Sequence, residues 1–415
     1  MTQPLILNEG PSHIMHIDLN SCFATIEQQA NPFLRGRPVV VAAYPTPRGI
    51  ILSPSIEAKR YGIKTGMRIK DAQLLCANII ALPTDPPKYR DVHKKFMKIF
   101  TDYSPMVVPK SIDEAIIDFK ETSYLFGDLE KIAREIKMRL RKEVGEWISC
   151  SIGIAPNRFW AKTGASLHKP DGLDHVNHEN ILRVLRSLTL VDLHGINVRY
   201  QARLNAYGIF TPLQFLAADE RTLKEKVFKG VVGSHWYFRL RGFEVDDVVF
   251  EQKSIGHQYA IGKKTADKRQ LAKLLLKLTE KTGRRLRQTN QTAYGIHVAC
   301  RYNDGSFWHM GKKWQEALYT TQELYGKALW IFEKRPEQKI VTLLSVTCYG
   351  LQPNTMTQAT LFEETIGKKR KMSQAMDSIN DRYGEFTIVS GLLMGTEDVI
   401  GDSIAFGKTR ELLKE

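Results

Sequence analysis

The sequence predicts a multidomain chain of mixed class, α/β in its first half and α+β towards its end. Three observations predict it. Residues 84–176 alternate a helix at 88–103, an acidic hairpin, a helix at 128–145, a strand at 148–155 and a helix at 157–168, a βαβ-like order. Strands near 254–261, 293–302 and 340–350, with a leucine-striped helix after the first and another helix at 321–334, read as β-α-β-β-α-β. The third is size: 415 residues are too many for one ordinary core, so two to four domains are expected.

Composition narrows the partners. The chain carries 60 Lys and Arg against 45 Asp and Glu, a net charge of +15, which favours nucleic acid or an anionic membrane surface. No apolar stretch approaches a membrane span, and the start lacks a basic region and a cleavage site. A soluble, cytoplasmic protein without membrane contact is expected. Cys22, Cys76, Cys150, Cys300 and Cys348 form no metal-spaced pair and are read as reduced and packed.

In chain order, residues 1–11 read as a loose leader. Ile14-Met-His-Ile-Asp18 is an apolar strand ending in an acid, where sheet-borne sites place their ligands. Asn20 or Ser21 can cap the helix that follows, to about Ala30. Next come a Val39–Val41 strand, a Pro/Gly turn, an Ile50–Leu52 strand and a short helix from Ser55, stopped by Gly62. Its basic end, Lys59 and Arg60, is accounted for by a favourable charge at a helix C-terminus.

In Ser111-Ile-Asp-Glu-Ala-Ile-Ile-Asp118, two carboxylates sit side by side in apolar surroundings. Neighbours in a strand point to opposite faces, so Asp113 and Glu114 share a site only if the backbone turns there. A hairpin of strands near 105–112 and 115–119, with Pro109 on an edge, would do this. Close carboxylates in a poorly solvated place raise each other's pKa; a divalent cation relieves that, and hard oxygen ligands suit Mg²⁺. On the dipeptide alone an exposed Asp-Glu turn is the simpler reading. The acid strand ending at Asp18 favours the metal.

Residues 177–245 are helical, and Leu193-His-Gly-Ile196 with Tyr207-Gly-Ile-Phe-Thr211 reads as a helix-hairpin-helix. Gly195 would let backbone N–H groups reach a phosphate without a side chain in the way. From Ser254 to Arg301 there are eleven Lys and Arg against Asp267 and Glu280. Leu271, Leu274, Leu275 and Leu278 give the helix there an apolar stripe, with Lys273, Lys277, Lys281 and Arg284 on another face. Beyond it, Gln358-Ala-Thr-Leu-Phe362 suits docking into a partner's pocket, or packs at home as a linker.

Taken together, Asp18 with Phe23 after it, Ser111-Ile-Asp-Glu-Ala115, and Ser151-Ile-Gly-Ile-Ala-Pro-Asn157 through Ala161-Lys162 to Lys169-Pro-Asp-Gly172 resemble, in order and spacing, the Y-family translesion DNA polymerases, nearest their bacterial polymerase IV branch. The match covers roughly residues 12–362. The resemblance implies a right-hand polymerase: palm at 1–21 and 84–176, small fingers at 22–83, helical thumb at 177–242, linker at 243–253, little finger at 254–352, and a tail at 353–415. It implies that Asp18, Asp113, Glu114 and the Leu19 carbonyl hold two Mg²⁺ ions, and that Phe23 is a steric gate against a 2′-OH. Ser53, Lys59 and Lys169 would hold the triphosphate. Gly195, Lys263, Lys273, Lys277 and Arg284 would hold DNA, and Gln358, Leu361 and Phe362 would dock a sliding clamp. The partners implied are primer–template DNA, dNTPs and a clamp, with the chain a monomer.

One departure concerns the fingers. Where the family places a Tyr and an Arg on the triphosphate, this chain has Ile56 and Lys59, losing a phenolic donor and a bidentate fork. Two rival readings are a catalytically idle relative that scaffolds repair and a palm-type nucleotidyl cyclase. The first would lack the acidic trio, and the second needs no thumb or basic terminal domain.

Overall fold

A computed structural model describes residues 5–247, 251–336, 338–354, 363–384 and 386–394. The chain divides into two compact units near residue 248.

The first unit opens with β1 (Ile14–Leu19) and α1 (Cys22–Ala30). Then follow β2 (Val39–Ala42), β3 (Ile51–Pro54), α2 (Ile56–Arg60), α3 (Ile69–Leu75) and β4 (Ile80–Pro83). These strands form a small sheet, β3-β2-β4, with its own core around Val40, Ile51, Ala58 and Ile69. Ser55 caps α2 by accepting from Ala58 N–H, as its sequence suggests. The cap expected for α1 is not made. Ser21 lies in the left-handed region (φ 50°) without a capping bond, while the Asn20 side chain bonds Ser149 and Ser151 across the sheet.

The chain returns through α4 (Pro86–Thr101), β5 (Val107–Pro109), β6 (Glu114–Asp118), α5 (Ser123–Phe126), α6 (Leu129–Arg139), β7 (Cys150–Ala155), α7 (Arg158–Leu167) and β8 (Leu173–His175). The resulting sheet runs β5-β6-β1-β7-β8, with Pro109 on the edge strand where its missing N–H does no harm. β1 is central and antiparallel to both neighbours. Its alternation divides the unit: Met15, Ile17 and Leu19 face one core with α4 and α6, whereas Ile14 joins another with Phe159 and Trp160 of α7. α8 (Ile181–Ser187), α9 (Val198–Asn205), α10 (Pro212–Ala217) and α11 (Val231–Leu240) extend that second core. Part of the expected linker is anchored: Arg158 N–H donates to Glu244, and Asn157 Nδ2 donates to the Phe243 carbonyl.

The second unit has the expected β-α-β-β-α-β order: β9 (Ser254–Thr265), α12 (Lys268–Gln288), β10 (Gln291–Tyr302), β11 (Phe307–Leu318), α13 (Thr321–Glu333) and β12 (Val341–Pro353). The sheet is antiparallel, in the order β11-β10-β12-β9, with leucines of α12 packed in its core. A further helix, α14 (Glu363–Tyr383), follows. Among the described residues, no helix is long and apolar enough to cross a membrane.

α14 corrects the expectation for α12. Lys277, expected on a DNA-facing surface, is 1% exposed and sits 4.5 Å from the Phe386 ring centroid. Arg284 pairs with Asp381, and Arg287 grips Asp377 at 2.5 and 2.9 Å. The basic row meets acids and an aromatic ring of its own unit. Lys263 and Lys273 are exposed.

Arg287 is 5% exposed and Asp377 17%, so Asp377→Asn leaves a nearly buried guanidinium without its counter-charge and should cost roughly 3 kcal/mol. Asp381→Asn, at a half-exposed partner, should cost under about 1 kcal/mol. Thermal unfolding of the intact chain checks the ranking; equal effects would show that α14 does not depend on the buried pair.

Candidate active site

The register of β1 on β6 places Asp18 directly opposite Glu114. Because both belong to one pleat, their side chains leave the same face of the sheet. Asp113 lies in the turn just before β6, and its carbonyl accepts from Leu19 N–H at 2.8 Å. The expected turn between the adjacent acids is therefore present.

α7 lies on this face because Gly153 of β7 has no side chain. A Cβ there would lie 2.0 Å from the Ala161 carbonyl oxygen, so any larger residue would lift the helix. That closeness brings Lys162 Nζ to 2.7 Å from Glu114 Oε2. The same oxygen meets His16 Nε2 at 3.1 Å. His16, Asp18 and Glu114 offer ligand atoms that all lie within 4.8 Å of one another. His16 was not anticipated; its signal was there, two residues before Asp18 and so on the same face of β1.

Asp18, Leu19 and Asp113 line a cavity of about 580 Å³, together with Ser53, Lys59 and Lys169. All three residues expected at a triphosphate thus face one space with two of the three acids. Ile56 and Arg60 line it too. Lys169 Nζ lies 2.7 Å from Asp18 Oδ2. Phe23 is fully buried and stacked on Tyr89, with centroids 4.4 Å apart and planes 11° from parallel. Tyr89 in turn donates to Glu27, one turn after Phe23 on α1.

Charge is unevenly shared. Burial, with repulsion from Asp18 and Glu114, pushes the Asp113 carboxyl up to about 6 despite its Ser111 hydrogen bond. Burial opposes ionisation of Glu114 as well, but His16 and Lys162 hold its pKa well below the usual carboxylate range. Burial, then the neighbouring Lys169, lowers Lys59. The donor set fits a divalent cation: carboxylate oxygens of Asp18 and Glu114 converge with His16, Asp113 lines the adjoining cavity with its carboxyl held up by burial, and lysine ammonium groups lie on the other two acids.

Gly195 has φ +99°, which requires glycine, in the turn before Asn197 caps α9. Gln358, Leu361 and Phe362 lie outside the described residues.

Comparison with known proteins agrees with this arrangement. The family model described as the impB/mucB/samB family matches residues 17–166, and that of its C-terminal domain matches 252–361. The chain is 34% identical to a DNA polymerase IV of Moorella thermoacetica over 90% of its own length and 94% of the relative's. It is 30% identical to DNA polymerase IV 1 of Bacillus subtilis, over 95% and 96%. Among solved structures, a Y-family DNA polymerase chimera aligns with TM-score 0.70 at 24% identity, covering 82% of this chain and 99% of that one. An insertion ternary complex of Dbh DNA polymerase gives 0.57 at 23%, with the same coverage.

The Asp113 carboxyl titrates higher in the folded chain than its ordinary value of 3.8. The folded state therefore holds that proton more tightly, and the stability this confers is present below about pH 4 and lost as pH rises through about 6. Asn cannot ionise and escapes the loss. In chelator, Asp113→Asn should stabilise the chain relative to the parent at pH 8, on the order of 2 kcal/mol, with the gain shrinking towards pH 4. A pH-independent difference in thermal unfolding would show that the Asp113 carboxyl is not held up by burial and its acidic neighbours.

Proposed function

We infer the function from one premise: this chain belongs to the Y-family DNA polymerases, and it is a template-directed DNA polymerase of the translesion type. It joins a dNTP to a primer 3′-OH by phosphoryl transfer. The observation that carries the reading is the pair of acids Asp18 and Asp113 lining one cavity with Lys59 and Lys169, with Glu114 opposite Asp18 on the neighbouring strand. An idle scaffold would have no use for that set.

Asp18, Asp113, Glu114 and the Leu19 carbonyl would hold two Mg²⁺ ions, which when bound activate the 3′-hydroxyl and neutralise the leaving pyrophosphate. The chain's own residues prepare the site. His16 and Lys162 fix one Glu114 oxygen. Lys169, paired with Asp18 in the free protein, turns to the triphosphate beside Ser53 and Lys59. Ile56 lines the same cavity and offers that triphosphate no side-chain hydrogen bond, so its hold falls to Ser53, Lys59 and Lys169, with Arg60 beside them. Phe23, locked against Tyr89, closes the sugar end against a 2′-OH. Gly195, Lys263 and Lys273 hold primer–template phosphates; Lys277 and Arg284 are occupied by the second unit itself. Gln358, Leu361 and Phe362 dock a sliding clamp. The right-hand division into palm, fingers, thumb and little finger follows the ranges given above. We take the protein to act as a cytoplasmic monomer.

One primer-extension assay with Mg²⁺ and four dNTPs tests these roles. Glu114→Gln should abolish extension while leaving primer–template binding nearly intact, and full extension by it would sink the two-metal site. Phe23→Ala should raise the ratio of rNTP to dNTP incorporation. With a clamp added, Leu361→Ala plus Phe362→Ala should lose only the clamp-stimulated part; equal loss without the clamp would place these side chains in the fold.

A further inference from the structure

The second unit holds an open groove of about 480 Å³ between β11 and α13, lined by Lys312, Trp314, Glu323, Gly326, Lys327 and Trp330. The fold explains little of this lining. Leu324, Ala328 and Ile331 of α13 are fully buried in the core, yet Trp330 on the same helix is 39% exposed. Gly326 lies inside α13 with no left-handed φ, and a Cβ there would meet nothing within 4 Å. Neither backbone nor packing asks for glycine at a place where it weakens the helix.

Lysines in and beside the groove lie on its rings. Lys312 Nζ lies 4.3 Å from the Trp330 ring centroid, Lys334 Nζ 5.2 Å from the same ring, and Lys327 Nζ 5.3 Å from Trp314. The nearby acids have other work: Glu323 accepts from the N–H groups of Tyr319 and Thr320 in a capping box, and Glu316 pairs with Lys327 at 2.7 Å. Flat indoles interleaved with lysines over bare helix backbone suit a ligand with planar rings and regularly spaced anionic groups. An acidic peptide would use the lysines but would need neither flat faces nor a glycine floor.

We propose that this groove binds single-stranded DNA: a base stacks on Trp330 over Gly326, displacing the lysines that lie on that ring, and Lys312 and Lys334 turn to the flanking phosphates. The inference rests on the reading that the chain works on DNA, and it adds a single-strand site separate from the cavity at Asp18 and Asp113.

The test titrates the intact chain against a fluorescein-labelled oligothymidylate, following anisotropy. Trp330→Ala removes the platform, and Gly326→Leu fills the floor with a better helix former, so its melting temperature reports folding independently. Each should weaken binding about tenfold, and neither should affect an abasic oligonucleotide of equal length, on which all three proteins should bind weakly and alike. Unchanged affinity for oligothymidylate in both variants would overturn the site. Equal losses on the abasic strand would also overturn it, since charge alone would then explain binding. Primer extension by the parent and both variants judges the polymerase reading separately: extension should persist in all three, and its absence in the parent would fail that reading whatever the single-strand titration gives.

Discussion

Placing three carboxylates at one end of a sheet, partly out of water, is the constraint on which the rest of the active site depends. Asp18 and Glu114 face each other across a β-ladder and Asp113 hangs from the adjoining turn, so their repulsion cannot be relieved by side chains swinging far apart. Positive groups come to them instead. Lys162 reaches Glu114 because Gly153 lets α7 settle onto β7; Lys169, beyond the end of the same helix, reaches Asp18. Among the described residues Asp113 has no lysine within bonding distance, and burial, with repulsion from the other two acids, raises its pKa. Asp113 and Glu114 are thus moved in opposite directions from the ordinary carboxylate pKa although their chemistry is the same. On the reading proposed above, a cation would offset the burial of Asp113 and would compete with Lys162 and Lys169 for the other two acids.

Much of this was legible in the sequence, for a physical reason. The Asp18 strand, the acidic hairpin with Pro109 at its edge, and the β-α-β-β-α-β unit all write their burial into short-range patterns, periods of 2 and 3.6 broken by Pro and Gly. What escaped depends on contacts distant in sequence. His16 looked like one polar residue in an apolar strand; only the β1–β6 register brings it to Glu114, 98 positions away. Asn20 and Ser21 are good capping residues locally, yet Asn20 is drawn to Ser149 and Ser151 by the neighbouring strand. Local propensity lost to tertiary bonding in that case.

The fingers departure can be understood beside the cavity's lining. Ile56 and Lys59 are on the first turn and last turn of a five-residue helix, and both border the same space. A lysine there shares the field of Lys169, and with burial this weakens its hold on its own proton. An arginine would stay charged under the same load. The chain thus trades a fixed fork for an ammonium group whose hold on its proton is weakened by burial and by Lys169, and an incoming polyanion would strengthen that hold.

The basic character of the second unit shows why charge counts and charged surfaces are different quantities. Eleven Lys and Arg between Ser254 and Arg301 suggested one broad DNA-facing helix. On α12, Arg284 and Arg287 bind acids of α14, and Lys277 lies buried beside Phe386. Composition cannot separate these from Lys263 and Lys273, which do reach solvent. The separation comes from α14, a segment whose Asp377 and Asp381 stand one turn apart, matching the one-turn spacing of Arg284 and Arg287 in the opposite direction. Charge that serves folding in this way is withdrawn from binding, so the surface that meets a polyanion must be sought where lysines stand beside exposed rings or bare backbone rather than where they are most numerous.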